Sequence, residues 1–283
     1  MRILLTGAAG FTGLFFKRHA EAAGHTVWSL ATDLTDKAAV AAEVMQAEPD
    51  AVVHLAAISF VGHANESAFY AVNVVGTTNL LSALAELPTK PRKVLLASSA
   101  NVYGNCEVSP ITEEQPPAPV NHYATSKLAM EHMSLAFLDR LPIVIARPFN
   151  YTGPGQAPQF LIPKLVNHFA SRAERIELGN LHVEREFNDV RMVCEAYLRL
   201  LERGEPGQIY NVCSGQPYTL EYVLATLERI TGHSMVVDVN PAFVRANEVH
   251  RLCGGPQKLH SAIGKLDGWG LSDTLSWMLE SCN

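Results

Sequence analysis

Short, almost wholly apolar runs alternate with longer amphipathic stretches through the first half of the chain. Ile3-Leu4-Leu5, Thr26-Val27-Trp28, Ala51-Val52-Val53-His54-Leu55, Lys93-Val94-Leu95-Leu96-Ala97 and Ile143-Val144-Ile145-Ala146 are β-rich. They lack a polar face, as strands covered on both sides must. Helical spacing recurs between them, near 12–23, 36–47, 65–87 and 122–139. Parallel neighbours need such crossovers, and right-handed winding then predicts a doubly wound parallel α/β sheet. About seventeen residues separate Asp33 from the strand at Ala51 and one helix fills them, so the third strand of a full doubly wound order is expected to be missing or vestigial.

Past Asn150 the texture changes. Gly153-Pro154-Gly155 and Pro158 make a loop, followed by helical stretches near 159–172, 189–203 and 219–231 and short strands at 175–178, 208–213 and 235–239. The expectation is a first domain over 1–150, to which part of 186–215 returns, and a smaller α/β lobe over 151–283, with a ligand bound between them.

Composition narrows the class. The 283 residues carry 22 Lys+Arg against 28 Asp+Glu, a formal charge of −6, and without a basic face a nucleic-acid backbone is repelled. The longest apolar stretch, around 51–61, is interrupted by His54 and falls short of the roughly 20 residues that span a bilayer, so no membrane segment is expected. The apolar start of the chain is broken by glycines and followed by Lys17 and Arg18, unlike an export signal. Five cysteines, an odd number with no CxxC pair, suit free thiols in a reducing cytoplasm, and no metal-ligand spacing such as HExxH occurs.

Two stretches carry chemistry. Gly7-Ala8-Ala9-Gly10-Phe11-Thr12-Gly13 follows the first strand and opens the first helix. The glycines permit a tight turn, close approach of a pyrophosphate and close helix–strand packing, and the helix N-terminus offers free N–H groups to the phosphates. The motif predicts a dinucleotide site. After Trp28-Ser29-Leu30 comes Ala31 where an NAD-selective acid usually stands, which leaves room for NADP(H) without excluding NAD(H). The second stretch pairs Ser98-Ser99-Ala100-Asn101, just past a strand, with Tyr123 and Lys127, spaced i,i+4 on one helical face. A nearby ammonium lowers a phenol's pKa, and a serine hydroxyl can hold a reacting oxygen. A solvent-facing Tyr and Lys would show the same spacing, so that pair alone is weak.

Taken together, these residues resemble the extended short-chain dehydrogenase/reductase family from Met1 to about Trp269. The resemblance implies a Rossmann-type NAD(P)-binding domain with a nucleotide-sugar-binding lobe. It implies cofactor contacts at Gly7, Gly10, Phe11, Thr12, Gly13, Asp33, Leu34, Leu55, Ala56, Ala57, Asn73 and Pro148, and catalysis by Ser99, Tyr123 and Lys127. Stretches around Asn180, Arg185-Glu186-Phe187, Tyr210–Gly215 and Arg245–Val249 look like those of the GDP-4-keto-6-deoxy-D-mannose reductases. By that likeness Arg185 and Arg245 face the diphosphate and ribose, Glu248 the ribose hydroxyls, Asn180 the base side and Asn150 the diphosphate, with Asn101 beside the sugar.

Two departures discriminate within the family. Ala100-Asn101 replaces the Asp-Glu pair of the sugar dehydratases, and Ala100 also stands where the fucose-synthase type carries a cysteine. A C4 ketoreductase is therefore expected, with a 4-epimerase holding NAD tightly and a non-catalytic NAD(P)-sensing module as alternatives. The family's habit of pairing the helices near 65–87 and 122–139 implies a homodimer. Leu80, Leu81, Leu84 and Leu87 form an apolar stripe that serves either such an interface or the core.

Overall fold

The computed structural model describes residues 1–60, 64–241, 251–266 and 268–282. The chain begins β1 (Arg2–Thr6), α1 (Phe11–Ala22), β2 (Thr26–Ser29), α2 (Lys37–Ala47) and β3 (Ala51–His54). It continues through α3 (Glu66–Tyr70), a π-helical turn at Ala71–Gly76 and α4 (Thr77–Glu86) to β4 (Val94–Ala97). A 3-10 turn at Ala100–Tyr103 precedes α5 (His122–Ser134), which tightens over Leu135–Phe137 before β5 (Ile143–Pro148) and β6 (Tyr151–Thr152). Then follow α6 (Leu161–Ala170), β7 (Arg175–Leu178), β8 (Glu184–Glu186), β9 (Asn188–Asp189), α7 (Val190–Arg203) and β10 (Ile209–Val212). The described chain ends with β11 (Pro217–Thr219), α8 (Leu220–Thr231), β12 (Val236–Val239), β13 (Arg251–Leu252), α9 (Gln257–Ile263) and α10 (Leu271–Glu280).

Six strands pair in parallel in the order β10-β5-β4-β3-β1-β2. Strand β2 is the edge, and nothing among the described residues lies beyond it, so the third strand of the full order is absent. Alternation within each strand distributes the two faces. Ile3, Leu5, Val53, Leu95 and Val144 face one core with α1, α7 and α9. Leu4, Val52, Val94, Leu96, Ile143 and Ile145 face the other, with α2, α4 and α5. The two-residue period of a strand thus explains why a continuous apolar run is required.

Several helix starts are set by local chemistry. Asp36 accepts from the amides of Ala38 and Ala39 at 3.1 and 3.0 Å, and Asn121 from Ala124 at 2.9 Å, the capping that fixes where α2 and α5 begin. The predicted 65–87 helix forms but contains the π turn, which adds one residue to the repeat and is invisible to a 3.6-residue pattern. The predicted 122–139 helix leaves α geometry at Ser134. No helix was expected past residue 231, yet α9 and α10 form there.

The border expected at residue 150 does not separate two cores. Residues of α7 and β10 bury with the first domain, and so do Leu259 and Ile263 of α9, which the sequence reading had placed in the second lobe. That lobe's own core joins α6, α8 and α10 over β7 and β12. Leu80, Leu81, Leu84 and Leu87 are all within 1% of complete burial, so the leucine stripe belongs to the core and offers no interface. The helical run Glu66–Glu86 is long and apolar enough to cross a membrane by length and composition, but half of it is buried inside the fold.

Leu84→Ala should therefore lower unfolding free energy by about 2–5 kcal/mol through the cavity it leaves. Denaturant titration checks this, with light scattering expected to show an unchanged association state.

Candidate active site

The chain leaves β1 to form β2 on one side and returns to form β3 on the other. This reversal opens a crevice at the carboxyl ends of the strands, where ligands of such sheets bind. The glycine turn lies at that end. Gly7 has φ +69°, and a Cβ there would stand 2.7 Å from the Ala56 nitrogen, so the turn packs directly on the segment after β3. A Cβ on Gly13 would meet the Gly7 carbonyl at 2.1 Å. Gly10 caps α1 without a side-chain bond, which leaves the first-turn N–H groups of α1 available to an anion. A dinucleotide pyrophosphate fits this cradle. The Thr12 hydroxyl meets the Tyr151 hydroxyl at 2.8 Å, and the Phe11 and Tyr151 rings stack with centroids 6.1 Å apart.

At the end of β2 the structure departs from the sequence reading. No acid follows the strand in sequence, but Glu43 of α2 reaches back to it. Its carboxylate accepts from the Ala31 and Thr32 amides at 3.0 Å each, from Trp28 Nε1 at 3.3 Å and from the Thr32 hydroxyl. Burial opposes its charge, and these donors outweigh burial and hold the carboxyl below its ordinary value. Sequence spacing offered no sign of this contact. Asp33 is exposed and accepts from both the amide and the hydroxyl of Thr35 at 2.9 Å, while Leu34 is buried against α4.

The chemical centre gathers on β4 and α5. Tyr123 and Lys127 are 8% and 3% exposed, so the solvent-facing alternative is excluded. Burial pushes the Tyr123 phenol up, and a hydrogen bond with Ser99 pulls it partly back. Lys127 was expected to lower the phenol directly. Its ammonium makes its hydrogen bond to the Ala97 carbonyl at 2.8 Å, and burial brings its pKa down from 10.5 to about 8, against the raising effect of Glu131. Ser99 Oγ also accepts from the Asn101 amide at 3.2 Å. Pro148 ends β5, fully covered.

Behind this centre runs a chain of polar contacts that sequence reasoning assigned only at Asn73. The Ala56 amide donates to Thr6 Oγ1 at 3.1 Å, and the same oxygen lies 2.7 Å from His54 Nδ1. On the other side Thr77 donates to the Asn73 carbonyl at 2.7 Å, so it accepts from His54 Nε2 at 2.8 Å. Burial, aided by Lys127, lowers the His54 pKa from 6.5 to about 3, so the ring is neutral with its proton on Nε2, and Nδ1 accepts from the Thr6 hydroxyl. The Asn73 side chain accepts from the Ile58 amide at 3.0 Å and donates to Ser126 Oγ at 2.9 Å. The π turn carries Asn73 to this junction.

In the second lobe Asn180 accepts from the His182 amide at 3.0 Å, and Arg185 on β8 is half-buried and donates to the Glu184 carbonyl at 2.8 Å. The Asn150 carbonyl accepts from the Asn188 amide at 2.9 Å. Arg245 and Glu248 lie outside the described residues. The residue the sequence reading overlooked here is Glu186, only 1% exposed. It accepts from the amides of Gly254, Ser214 and Gly215 at 2.6, 2.8 and 3.3 Å, and so ties β8 to the loops after β10 and β13.

Fold and site together define a dinucleotide-dependent enzyme built on a Rossmann sheet. The chain belongs to the NAD dependent epimerase/dehydratase family, whose model matches residues 3–213. The resemblance to the extended short-chain dehydrogenases/reductases is thereby borne out. The chain is 37% identical to a GDP-6-deoxy-D-talose 4-dehydrogenase of Aggregatibacter actinomycetemcomitans, over 93% of this chain and 92% of that one. It is 36% identical to a GDP-6-deoxy-D-mannose reductase of Pseudomonas aeruginosa, over 93% and 91% respectively. Among solved structures, RMD from Pseudomonas aeruginosa complexed with NADPH superposes with a TM-score of 0.92 at 33% identity, covering 99% of this chain and 98% of its own.

The neutrality of His54 has a consequence for stability. Below pH 6.5 the unfolded chain binds a proton that the folded His54 refuses. The contribution is therefore complete above pH 6.5 and is lost progressively as pH falls toward about 3. His54→Gln should flatten the decline in unfolding free energy across that window, measured by denaturant titration at successive pH values. An undiminished slope would contradict the neutral assignment.

Proposed function

We propose that this protein uses a reduced nicotinamide cofactor to reduce the C4 keto group of a nucleotide-linked 4-keto-6-deoxyhexose. GDP-4-keto-6-deoxy-D-mannose is the favoured substrate, and GDP-rhamnose or its C4 epimer the product. The observation that carries the reading is the buried Tyr123 hydrogen-bonded to Ser99 beside Lys127 at the strand ends. It is supported by likeness along 93% of the chain to two enzymes named for GDP-6-deoxyhexose oxidation and reduction.

When bound, the reduced nicotinamide supplies the hydride. The rest falls to side chains. Tyr123, kept protonated by burial, donates its proton to the developing C4 alkoxide, and Ser99 donates a hydrogen bond to the same oxygen. The charge of Lys127 stabilises the phenolate left behind, and its ammonium is the group we assign to the nicotinamide ribose. The turn at Gly7–Gly13, with Asp33, Leu34, Leu55, Ala56, Ala57, Asn73 and Pro148, holds the cofactor. Ala100 is buried and Asn101 carries an amide, so neither can move a proton from C5, which argues against dehydration. Arg185 and Arg245 take the substrate diphosphate and ribose as guanidinium forks suit phosphate oxygens, with Glu248 on the ribose diol, Asn180 toward the base, Asn150 on the diphosphate and Asn101 beside the sugar.

We place the protein in the cytoplasm, a reading its five free thiols support. We also read it as a homodimer paired through the helical runs near 65–87 and 122–139. Support comes from Val75 and Leu135, exposed at 52% and 48%, rather than from the leucines first considered.

The test is a panel of GDP-, dTDP- and UDP-linked 4-keto-6-deoxyhexoses with NADPH and NADH. Turnover should be best with the GDP sugar and should fall by at least about a thousandfold in Tyr123→Phe with little change in nucleotide binding. Tightly retained NAD in the purified protein, with no net consumption of NADPH, would establish the epimerase instead.

Cofactor choice is set by two opposed features. Ala31 leaves space for the adenosine 2′-phosphate of NADP(H), which we favour, while the Glu43 carboxylate occupies the amides at that strand end. NADPH should serve at least as well as NADH in the wild type. Ala31→Asp should shift kcat/KM toward NADH, and Glu43→Gln toward NADPH, each by about tenfold for the cost of one like charge.

A further inference from the structure

Tyr123, Lys127 and Glu131 follow one another at i, i+4 and i+8 along α5, so one helical face carries all three into the interior. Glu131 is 3% exposed and Arg147 likewise 3%. The Arg147 fork grips Glu131 at 2.9 Å through Nε and 2.6 Å through Nη2, and the Ser98 hydroxyl donates to the same carboxylate. On its far side Arg147 lies over the Tyr103 ring, 4.8 Å from the centroid, and the Tyr103 hydroxyl donates to Asn211 at 2.7 Å. Burial works against the Arg147 charge, and Glu131 more than offsets it.

A dry ion pair is a poor way simply to fill space. Removing two charges from water costs several kcal/mol, and apolar side chains of similar volume commonly stabilise a core as well or better. The position of this pair suggests a different purpose. Ser98 precedes Ser99, Arg147 precedes Pro148, Tyr103 closes the turn that begins at Ala100, and Glu131 lies one turn beyond Lys127. The carboxylate therefore ties together segments bearing the centre, and it stands one turn from Lys127 on the same helical face.

The other groups around Lys127 are largely neutral. From β3 comes His54, held uncharged between two threonines. From β4 come the Ala97 carbonyl and the Ser98 and Ser99 hydroxyls. Tyr103 of the turn after β4 lies against Arg147, and the helical run packed on α5 bonds Ser126 through Asn73 and His54 through Thr77. Its Glu66 and Tyr70 lie at the start of α5, on the exposed His122. Tyr123 shares the Lys127 face. Glu131 is the anion that acts on Lys127, and Arg147 is the cation behind it.

We propose that Glu131 is a positioning residue for the reaction: its carboxylate, clamped by Arg147 and Ser98, is the counter-charge that keeps the buried Lys127 ammonium charged at the end of β4, and Arg147 moderates that effect. The proposal rests on the assignment of Tyr123 and Lys127 as the proton-donating pair. Its consequence is an opposite response to losing either partner. Without the carboxylate, an unpaired Arg147 disfavours the ammonium. Without the guanidinium, an unpaired Glu131 favours it. A purely structural pair has no reason to behave with opposite sign.

The experiment is the pH profile of kcat for keto-sugar reduction in Glu131→Gln and Arg147→Met. Activity is lost on the alkaline side as the Tyr123–Lys127 pair loses its proton, a limb that belongs to the pair and not to either residue. Glu131→Gln should move that limb to lower pH by about one unit, and Arg147→Met should move it upward. A second readout needs no turnover: phenolate absorbance in the cofactor-free protein, taken as the difference between each variant and its Tyr123→Phe counterpart, should shift with the same signs. If either single variant fails to fold, the double change Glu131→Met with Arg147→Met preserves apolar volume. Its limb should still fall, by less than in Glu131→Gln, because the nearer charge is the carboxylate. Unchanged limbs, or limbs displaced in the same direction by both single changes, overturn the proposal. An active Tyr123→Phe would instead remove the reading on which it rests, so the two failures are distinguishable.

Discussion

The carboxyl ends of β1, β3, β4 and β5 are dry, and most of what surrounds the site follows from that constraint. A buried donor or acceptor away from water must find a partner inside the protein. Thr6, His54, Thr77 and Asn73 satisfy one another in series, with His54 kept neutral by burial and its proton on Nε2. Lys127 turns to a backbone carbonyl, and Glu131 is consumed by Arg147 and Ser98. Each contact locks a rotamer. The hydroxyl of Tyr123, the proton donor we propose, is thereby presented on a support with little freedom, which is the condition for electrostatic preorganisation.

The same dryness selects the protonation states that ketone reduction needs. Burial favours the neutral phenol, so Tyr123 begins as an acid, while the nearby carboxylate offsets the cost of a buried ammonium at Lys127. A solvent-facing Tyr and Lys with identical spacing would possess neither property. Chemistry at this site therefore comes from the environment of the residues as much as from their identity.

Coupling between the lobes rests on a comparable device. Glu186 gathers amides from the loops after β10 and β13, although its strand belongs to the second lobe and β10 to the first sheet. Arg191 is paired with Asp189 at 2.7 Å and lies over the rings of Trp269 and Trp277, so α7 is fastened to the C-terminal segment. These ties put the described part of the second lobe and the first sheet on one framework.

The Ser99, Tyr123 and Lys127 set was picked out by the family resemblance, whereas the doubly wound sheet, the missing third strand and the glycine turn were legible in the order of residues alone. They depend on local rules: a period of two in strands, a period near 3.6 in helices, and the special backbone freedom of glycine. Tertiary structure alone decided the rest. The leucine stripe of α4 fitted core and interface equally well until its neighbours were known. Glu43 lies twelve residues beyond Ala31 in a helix of its own, and no periodicity says that its carboxylate closes the end of β2. No spacing pairs Glu131 with Arg147 until α5 and β5 are packed together. The π turn at Asn73 and the joining of α9 to the first core are likewise set by contacts between segments far apart in sequence. Spacing along a chain reports which face of an element a side chain occupies, but only packing determines what that face meets.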